Sequence, residues 1–482
     1  MGVRPGAQEE SASPACMQHP SLRCGRIVTS GYFHFGRYKY IRWLDVSNGL
    51  RQNIVYHSGE WDIIIDGSSL TMDTEDMFVA QQYTATTGMP SFRAWAYTLQ
   101  KAFHSPPTVD SSDPEKRYNI QFTNGGQEGI NQALEIMINE GDDILVQTPL
   151  SNDVISSMKP LGCNIIPTPC DKFGIIPDLL RNLLENRKGK SSPKFIYCCP
   201  TGNNPTGSTL SLERRHELYA LARHYDLVII EHDPYYHIKK LNYPPSLLSL
   251  DTDGRVVRID SFSSTIAPGI RLGMVSGPNA IISAIEVHLS TSSMHVSSLT
   301  QMICKKLLDK WNLKGFVSHC QTISFLYESQ KSLCKQMLKQ HLEGLCEWEN
   351  PDSGLFLWLK LKQKLNIPPE QIDPEIFTSG KYFFPDTQDD VDSEYIRVCF
   401  SSATADHMEE HLQKNPRVDK HRKKRKRDKE HQIRHRDIKH KRPHINQRDQ
   451  SVPIGTAICH ACSKSGLRAH NPPIFPVTKR YR

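Results

Sequence analysis

Short apolar runs alternate regularly with helical patterns through the middle of the chain. The apolar runs are Tyr118–Thr123, Asp143–Gln147, Pro193–Cys199, Leu227–Glu231, Val256–Ser261 and Arg271–Ser276, and the helical patterns between the first of them are Gln127–Asn139, Asn152–Met158 and Leu212–Tyr225. This alternation predicts an α/β fold with a mostly parallel sheet that helices cover on both faces. Ligands of such sheets bind beyond the carboxyl ends of the strands. Polar motifs at those ends are therefore the first candidates for a functional site.

The pattern changes after Pro278. Long helical patterns cover Leu299–Trp311 and Phe316–Leu342, and two strands, Gly354–Leu361 and Tyr395–Phe400, precede a helix at Ala405–Leu412. These elements predict a smaller α+β domain. We therefore expect four regions, which are an irregular N-terminal segment (1–55), a large α/β domain (56–300), bridging helices with the small domain (301–413) and a basic tail (414–482).

The positive charge of the chain is concentrated in the tail. The whole chain of 482 residues carries a net charge of +7, whereas Lys414–Arg448 alone holds 16 lysines and arginines against 4 acidic residues. Such a segment cannot bury a core, so we expect it to be disordered. It also has a nuclear-localisation or nucleic-acid-binding character, but without interleaved aromatic residues or a binding fold we do not expect a nucleic-acid partner.

Composition also restricts the cellular environment. No apolar run approaches the ~20 residues that span a bilayer, and the 13 cysteines are odd in number and scattered, as reduced thiols are. We expect a cytoplasmic protein without membrane contact. The mitochondrial matrix is the alternative, because Arg23–Arg42 contains arginine and serine without acidic residues. Cys459 and Cys462 supply half a zinc site, so no metal is expected.

Two motifs have the composition of an anion site. The strand Tyr118–Thr123 leads into NGGQEG, in which Gly126 and Gln127 open a helix whose N-terminus favours negative charge. Ser261, Ser263 and Arg271 add further donors for a phosphate. Alone, a glycine-rich turn is more often only a turn, and the other three residues equally fit a capped turn and a surface cation.

Three more strand ends carry polar groups. Asn204 lies in PTGNNPTG and can direct its amide at a ligand oxygen, while Asp233 and Tyr236 follow the strand that ends at Glu231. Arg397, on a strand of the small domain, suits two-point recognition of a carboxylate, although an exposed strand arginine is an equally good interpretation.

In order and spacing, these motifs resemble the class I/II (fold-type-I) aminotransferases, most closely the kynurenine/2-aminoadipate and aromatic aminotransferases. The resemblance covers about residues 54–413 and rests on QYTATTGMP, GNNPTG, IIEHDPYY, DGRVVRIDSFS and YIRVCFSSA. It implies pyridoxal 5'-phosphate as cofactor, amino-acid and 2-oxo-acid substrates, and a homodimer. It also implies a role for each matching residue: the phosphate at Gly126, Gln127, Ser261, Ser263 and Arg271; the phenolic oxygen at Asn204 and Tyr236; the ring nitrogen at Asp233; the substrate carboxylate at Arg397; and the partner's site at Tyr83.

Four departures affect the chemistry that the resemblance implies. Ser264 occupies the position of the lysine that binds the cofactor covalently, and a hydroxyl cannot form that bond or replace the lysine in proton transfer. Ser151 stands where the family places a ring over the cofactor. The family's N-terminal lid has no counterpart in residues 1–55, and FFPDTQDD at Phe383–Asp390 lacks the usual substrate-loop residues.

These observations leave two main hypotheses and one minor one. The first is an aminotransferase that acts on an aromatic, kynurenine-like or 2-aminoadipate-type amino acid with a 2-oxo acid. The second is an inactive relative that holds the cofactor, noncovalently, or an amino acid as a regulatory or structural dimer. The minor hypothesis is a nuclear or nucleic-acid-associated protein that depends on the tail.

Overall fold

The structure of the chain, a computed structural model, describes residues 61–65, 68–187, 191–239, 244–362, 376–385 and 394–401. The helices are α1 (Thr74–Ala80), α2 (Pro90–Phe103), α3 (Gly126–Met137), α4 (Asn152–Met158), α5 (Pro177–Glu185), α6 (Leu212–His224), α7 (Leu247–Leu250), α8 (Asn279–Thr291) and α9 (Ser298–Leu342). The strands are β1 (Trp61–Ile65), β2 (Ser68–Met72), β3 (Tyr118–Thr123), β4 (Asp143–Gln147), β5 (Asn164–Thr168), β6 (Cys170–Asp171), β7 (Gly174–Ile175), β8 (Phe195–Cys198), β9 (Val228–His232), β10 (Val256–Ser261), β11 (Gly273–Pro278), β12 (Cys346–Trp348), β13 (Phe356–Leu361), β14 (Phe377–Ser379) and β15 (Tyr395–Cys399).

A seven-stranded sheet forms the centre of the fold, with strand order β3-β11-β10-β9-β8-β4-β5. Its pairs are parallel except for those of β11, which is antiparallel to both β3 and β10. The predicted mostly parallel sheet is therefore confirmed, and it has seven strands. The carboxyl ends of β3, β8, β9 and β10 lie at one edge, because these strands run in the same direction.

The two faces of this sheet bury separate apolar clusters. Ile229 of β9 packs on the face that α2 covers, whereas its neighbour Ile230 packs on the face that α3 covers. Successive side chains of a strand point to opposite faces. Glu231 and Asp233 therefore lie on the α2 side, and His232 lies on the α3 side.

A second, four-stranded antiparallel sheet has the order β12-β13-β15-β14. Its apolar face packs on the C-terminal part of α9 in a third buried cluster that includes Leu338, Leu357 and Val398. α9 is interrupted at Asn312, whose φ of 49° and ψ of −176° are not helical. The two helical patterns predicted on either side of that residue are thus joined at a kink.

Several elements were not predicted from the sequence. The hairpin β1–β2, the edge strand β5 and the helices α5 and α8 had no counterpart in the predicted pattern. The predicted helix Ala405–Leu412 and the predicted disordered tail lie outside the described residues, and the four domain boundaries stay predictions. Within the described ranges no helix is long and apolar enough to cross a bilayer, and the cysteines are free thiols.

A charged cluster is buried on the α2 side of the sheet. Nη1 of Arg258 lies 3.2 Å from both Glu231 Oε1 and Asp233 Oδ2, and its Nη2 lies 2.8 Å from Asp260 Oδ1. His104 and His237 adjoin this cluster, and their ring nitrogens come within 4.8 Å of an Asp260 oxygen. Both oxygens of Asp260 already accept from Arg258, so we assign no metal to these three residues.

The neutral histidines of this cluster make stability depend on pH. Burial, followed by the charge of Arg258, lowers the pKa of His237 from 6.5 to about 3. Because the unfolded chain takes up this proton first, the stabilisation is complete above pH 6.5 and is lost as the pH falls towards 3. Between pH 7 and pH 5.5 the free energy of unfolding of the unmodified protein should fall as the unfolded chain takes up this proton. In the His237→Phe variant the fall should be smaller by ~1 kcal/mol.

Urea titrations at the two pH values measure this difference. His216→Gln on the exposed side of α6 is the matched control and should leave the pH dependence unchanged. A His237→Phe protein with the same pH dependence as the unmodified protein would contradict the buried, neutral state of His237.

Candidate active site

A cavity of about 960 Å³ opens at the carboxyl edge of the large sheet, beside the N-terminus of α3. Its wall combines residues from the ends of three parallel strands, from α3 and α4, and from the turn that follows β10. The polar and aromatic residues of the wall include Gln127, Ser151, Tyr197, Asn204, His232, Tyr235, Ser261, Ser263, Ser264 and Arg271, and Gly126 lies beside them. Seven of the residues predicted from the sequence are thus brought together, namely Gly126, Gln127, Asn204, Ser261, Ser263, Ser264 and Arg271.

One end of the cavity is an anion cradle. Gly125 has a φ of +80°, and a Cβ added there would lie 2.4 Å from Nη2 of Arg271, so only glycine leaves room for the guanidinium. Nη1 and Nη2 of Arg271 each donate a 3.3 Å hydrogen bond to a backbone carbonyl, of Pro268 and Asn124. The first amides of α3 begin at Gly126 and are directed at the same space. Backbone donors and a fixed cation thus converge, as phosphate binding requires.

Ser261 and Gln127 complete the cradle. A Cβ on Gly126 would lie 3.4 Å from Cβ of Ser261, so the start of α3 and the end of β10 are in direct contact. Ser261 Oγ accepts from the amide of Ser263 at 3.3 Å. Gln127 donates to Ser157 Oγ at 2.9 Å, which holds its side chain against α4.

At the end of β9, the cavity wall is formed by His232 and Tyr235 rather than by Asp233 and Tyr236. Asp233 and Tyr236 directly follow these two residues in sequence and are buried, and the roles predicted for them stay predictions. The alternation of β9 turns Asp233 to the opposite face of the sheet from His232. His232 is on the cradle side, since its Nε2 lies 3.5 Å from the position that a Cβ on Gly126 would take.

Asp233 and Tyr236 belong instead to the buried charged cluster. Oδ2 of Asp233 accepts from Thr201 Oγ1 at 3.1 Å and pairs with Arg258, and burial raises the pKa of this carboxyl to about 6. The ring of Tyr236 lies 4.9 Å from the guanidinium of Arg258 and 4.7 Å from the ring of His104. Burial raises the pKa of Tyr236 as well.

Ser264 faces the cavity without a reactive amine nearby. Its Oγ donates a 2.7 Å hydrogen bond to the carbonyl of Pro234, and only 7% of the residue is exposed. Among the described residues no lysine lines the cavity. Lys239, a nearby lysine in sequence, pairs with Asp352 at 2.6 Å. The hydroxyl of Ser151 accepts a 3.3 Å hydrogen bond from Asn204 Nδ2, where an aromatic ring was expected.

Arg397 lies behind the cavity wall. Its Nη1 donates to Asn204 Oδ1 and its Nη2 to Thr378 Oγ1, both at 3.1 Å. The guanidinium is 4.3 Å from the ring centre of Phe356 and 5.0 Å from that of Phe383, and burial lowers the pKa of the group. Tyr83 is 54% exposed and away from the cavity, with its ring edge-on to His295. The roles predicted for these two residues stay predictions.

The matching protein-family model is that of the class I and II aminotransferases, over residues 71–414. The chain belongs to this aminotransferase family. It is 38% identical over 361 residues to the mitochondrial kynurenine/alpha-aminoadipate aminotransferase of Bos taurus, covering 72% of this chain and 84% of that protein. It is 31% identical over 331 residues to an aromatic amino acid aminotransferase of Schizosaccharomyces pombe, covering 63% and 69%.

Solved aminotransferases have the same fold as this family member. Aro8 from Candida albicans superposes with a TM-score of 0.66 at 24% identity, over 81% of this chain and 95% of that one. A kynurenine aminotransferase from Pyrococcus horikoshii gives 0.63 at 24% identity, over 71% and 83%. The predicted fold-type-I architecture is thereby confirmed.

The cavity of this aminotransferase-family chain fits one half of the family's cofactor better than the other. The cradle at Gly125, Gly126 and Arg271 suits the phosphate group. At the aldehyde end, Ser264 stands at the position expected of an amine. Tyr197, His232 and Tyr235 were not predicted as site residues, although their positions at strand ends could have indicated them.

Proposed function

We propose that the chain binds a pyridoxal-phosphate-type cofactor noncovalently and does not support rapid transamination. The observation that carries this proposal is the intact anion cradle in a cavity whose described wall contains no lysine. A primary amine is needed for covalent attachment of the cofactor and for proton transfer at the substrate carbon. The hydroxyl of Ser264, bonded to the carbonyl of Pro234, supplies neither.

Each part of the ligand has a complementary set of residues in this proposal. The amides that open α3, with Ser261, Ser263 and Arg271, would hold the phosphate. Asn204 and Tyr236 would hold the phenolic oxygen, and Asp233, whose buried Oδ1 has no hydrogen-bond partner among the described residues, would face the ring nitrogen. When bound, the cofactor supplies an aldehyde and an electron-withdrawing ring. Burial raises the pKa of Tyr236, so its phenol stays protonated and can donate.

Transamination of an aromatic, kynurenine-like or 2-aminoadipate-type amino acid with a 2-oxo acid is the second candidate. It is favoured by Arg397, whose guanidinium adjoins Asn204 and two phenylalanine rings and could receive a carboxylate. The names of the bovine and yeast relatives agree with these substrate classes. Product formation well above a cofactor-only reaction would favour this candidate over the first.

The assembly and location of the protein are proposals too. A homodimer, with Tyr83 reaching the partner's site, is expected for a family member, and the exposure of Tyr83 leaves that role open. The bovine relative is named mitochondrial, which favours the matrix over the cytoplasm.

Arg271→Ala tests the cofactor proposal. Hydrogen bonds to charged groups contribute ~1.5–3 kcal/mol, so the affinity for pyridoxal phosphate should fall by about 10- to 150-fold. Equilibrium dialysis followed by absorbance of the bound fraction measures the dissociation constant. Arg223→Ala on α6, which removes an exposed arginine paired with Asp253, is the matched control and should bind normally. Absence of pyridoxal phosphate binding by the unmodified protein would refute the proposal.

A further inference from the structure

We infer that a second cavity, between the large sheet and the small sheet, binds a small aromatic carboxylate. This second cavity has a volume of about 360 Å³. Sites for small organic molecules have volumes from ~300 Å³ upwards and often lie between structural units. The inference is carried by a pair of stacked rings in the wall, by a buried hydroxyl with a free proton and by a lysine without an acidic partner. It does not rest on the proposed function, because the residues proposed to hold the cofactor do not line this cavity.

The small sheet supplies the aromatic wall of the second cavity. Trp358 and Lys360 lie on one face of β13, opposite to Leu359, which packs on α9. Tyr395 of β15 is paired with Lys360 and therefore lies on the same face. The rings of Trp358 and Tyr395 are stacked, with their centres 5.2 Å apart and their planes at 8°. Such a wall favours a flat aromatic ligand.

The large sheet supplies a buried hydrogen-bond donor. Ser208, in the turn after β8, lines the second cavity and is only 5% exposed. Its Oγ accepts from Nε2 of Gln147 at 3.4 Å and from Oγ1 of Thr206 at 2.9 Å. Oγ1 of Thr206 accepts from the amide of Ser208 and from Nδ2 of Asn203, so its own proton goes to Ser208. The hydroxyl proton of Ser208 is thus left without an acceptor among the described residues, and an acceptor on a ligand would satisfy it.

Most of the charges around the second cavity are already paired. The pairs are Asp171 with Arg214 at 2.7 Å, Glu347 with Lys362 at 2.8 Å, and Lys172 with Glu349 at 4.0 Å. Lys360, in contrast, has no carboxylate within 4.0 Å in the part of the chain that the structure describes. Its Nζ lies 5.9 Å from the ring centre of Tyr395, at the edge of the aromatic wall. An anionic group beside that ring would receive this cation.

Phe383 separates the second cavity from the arginine of the candidate active site. Its ring centre lies 5.5 Å from that of Trp358 and 5.0 Å from the guanidinium of Arg397. The residue is only 1% exposed, and its carbonyl accepts a 3.0 Å hydrogen bond from the amide of Leu150. Phe383 is thus packed in place between the two sites. A carboxylate in the second cavity would therefore bind without Arg397.

The chemical class of ligand follows from these groups. A flat ring fits the stacked wall, and a group that carries negative charge and accepts hydrogen bonds fits Lys360 and Ser208. A single negative charge suits the cavity better than two, because Asp171, Glu347 and Glu349 also line it. These conditions describe a small aromatic carboxylate rather than a phosphate ester. Because the ligand contacts residues of both sheets, its binding would also hold the two sheets together.

The test compares three probes by isothermal titration calorimetry with the full chain. Indole-3-propionate has the flat ring and the carboxylate, tryptamine has an ammonium group in place of the carboxylate, and cyclohexanepropionate lacks the flat ring. We expect indole-3-propionate to bind at least about fivefold more tightly than either of the others. Lys360→Glu should reverse the order of indole-3-propionate and tryptamine, since it replaces the cation with an anion. A loss of packing alone cannot produce such a reversal.

Further variants locate the bound probe. Ser208→Ala removes the free hydroxyl proton and should weaken the binding of indole-3-propionate by about 2- to 10-fold. Arg397→Gln should leave that affinity unchanged, because Phe383 separates Arg397 from the second cavity. Lys194→Glu reverses the charge of an exposed lysine paired with Asp142 at 3.0 Å, and it is the matched control for Lys360→Glu. Circular dichroism reports whether each variant is folded.

Three results would overturn the inference. They are the absence of indole-3-propionate binding, equal affinities for indole-3-propionate and tryptamine, and a loss of affinity in Arg397→Gln that Lys360→Glu does not show. The last result would place the probe in the candidate active site. None of them bears on the proposed function, which depends on the binding of pyridoxal phosphate. A protein that binds indole-3-propionate as expected but does not bind pyridoxal phosphate would refute the proposed function alone.

Discussion

Replacing Ser264 with lysine is expected to attach pyridoxal phosphate covalently and to raise the rate of transamination by ~10²–10⁴ over the unmodified protein. Ser264 lines the cavity and is held against Pro234, so a lysine there would extend into the space beyond the cradle. Lysine restores the amine that moves the proton at the substrate carbon, which the hydroxyl of Ser264 cannot do.

Two measurements check this expectation. Borohydride treatment followed by peptide mass spectrometry should locate the cofactor on residue 264 of Ser264→Lys, and coupled assays with aromatic and 2-aminoadipate-type amino acids should show turnover in the same variant. Ser151→Lys, which adds an amine elsewhere in the same wall, is the matched control and should give neither result. A folded, cofactor-binding Ser264→Lys protein without any covalent adduct would show that residue 264 does not face the aldehyde.

The predictable part of the fold is the part with strong hydrophobic periodicity. β4, α4 and β10 have the predicted limits, because buried parallel strands are continuous apolar runs and turn residues separate them from the helices. β5 was not predicted because it is an edge strand whose side chains are mostly exposed or half-buried and whose sequence contains Pro167. Tertiary pairing with β4, rather than local pattern, makes it a strand.

The sequence predicts which strand ends meet at the cavity, but not which side chains of each end face it. Asp233 and His232 are adjacent in sequence, and a prediction that places both at the end of a strand cannot say which one faces the cavity. The alternation of β9 is fixed only by its neighbours, since Ile229 and Ile230 are equally apolar and suit either face.

Asp233 belongs to the charged cluster that is buried on the α2 side of the sheet. Asp233 is turned to the α2 side because Arg258 is there, and the two are joined by a 3.2 Å ion pair with neither side chain exposed. Arg258 of β10 is thus a structural centre on the α2 side of the sheet, while His232 of β9 borders the cavity on the α3 side. Loss of the arginine should therefore affect stability far more than ligand preference.

Arg258→Met is expected to lower the free energy of unfolding by ~3–5 kcal/mol at neutral pH, because it leaves the buried carboxylates of Glu231, Asp233 and Asp260 without their shared cation. The loss should shrink in acid. Burial already raises the pKa of Asp233 in the folded protein, so its protonation at lower pH removes part of the repulsion in the variant. Urea unfolding at pH 7.5 and pH 5 measures both effects.

Two further variants make the result interpretable. Arg181→Met removes the exposed partner of Asp178 and should cost no more than ~1 kcal/mol at either pH. Arg258→Lys keeps the charge but cannot reproduce the forked contact with Asp260, so it should lie between Arg258→Met and the unmodified protein and remain measurable if Arg258→Met does not fold. A folded Arg258→Met protein whose stability deficit is under ~1 kcal/mol, or is the same at both pH values, would mean that Arg258 is not the shared counter-charge of these carboxylates.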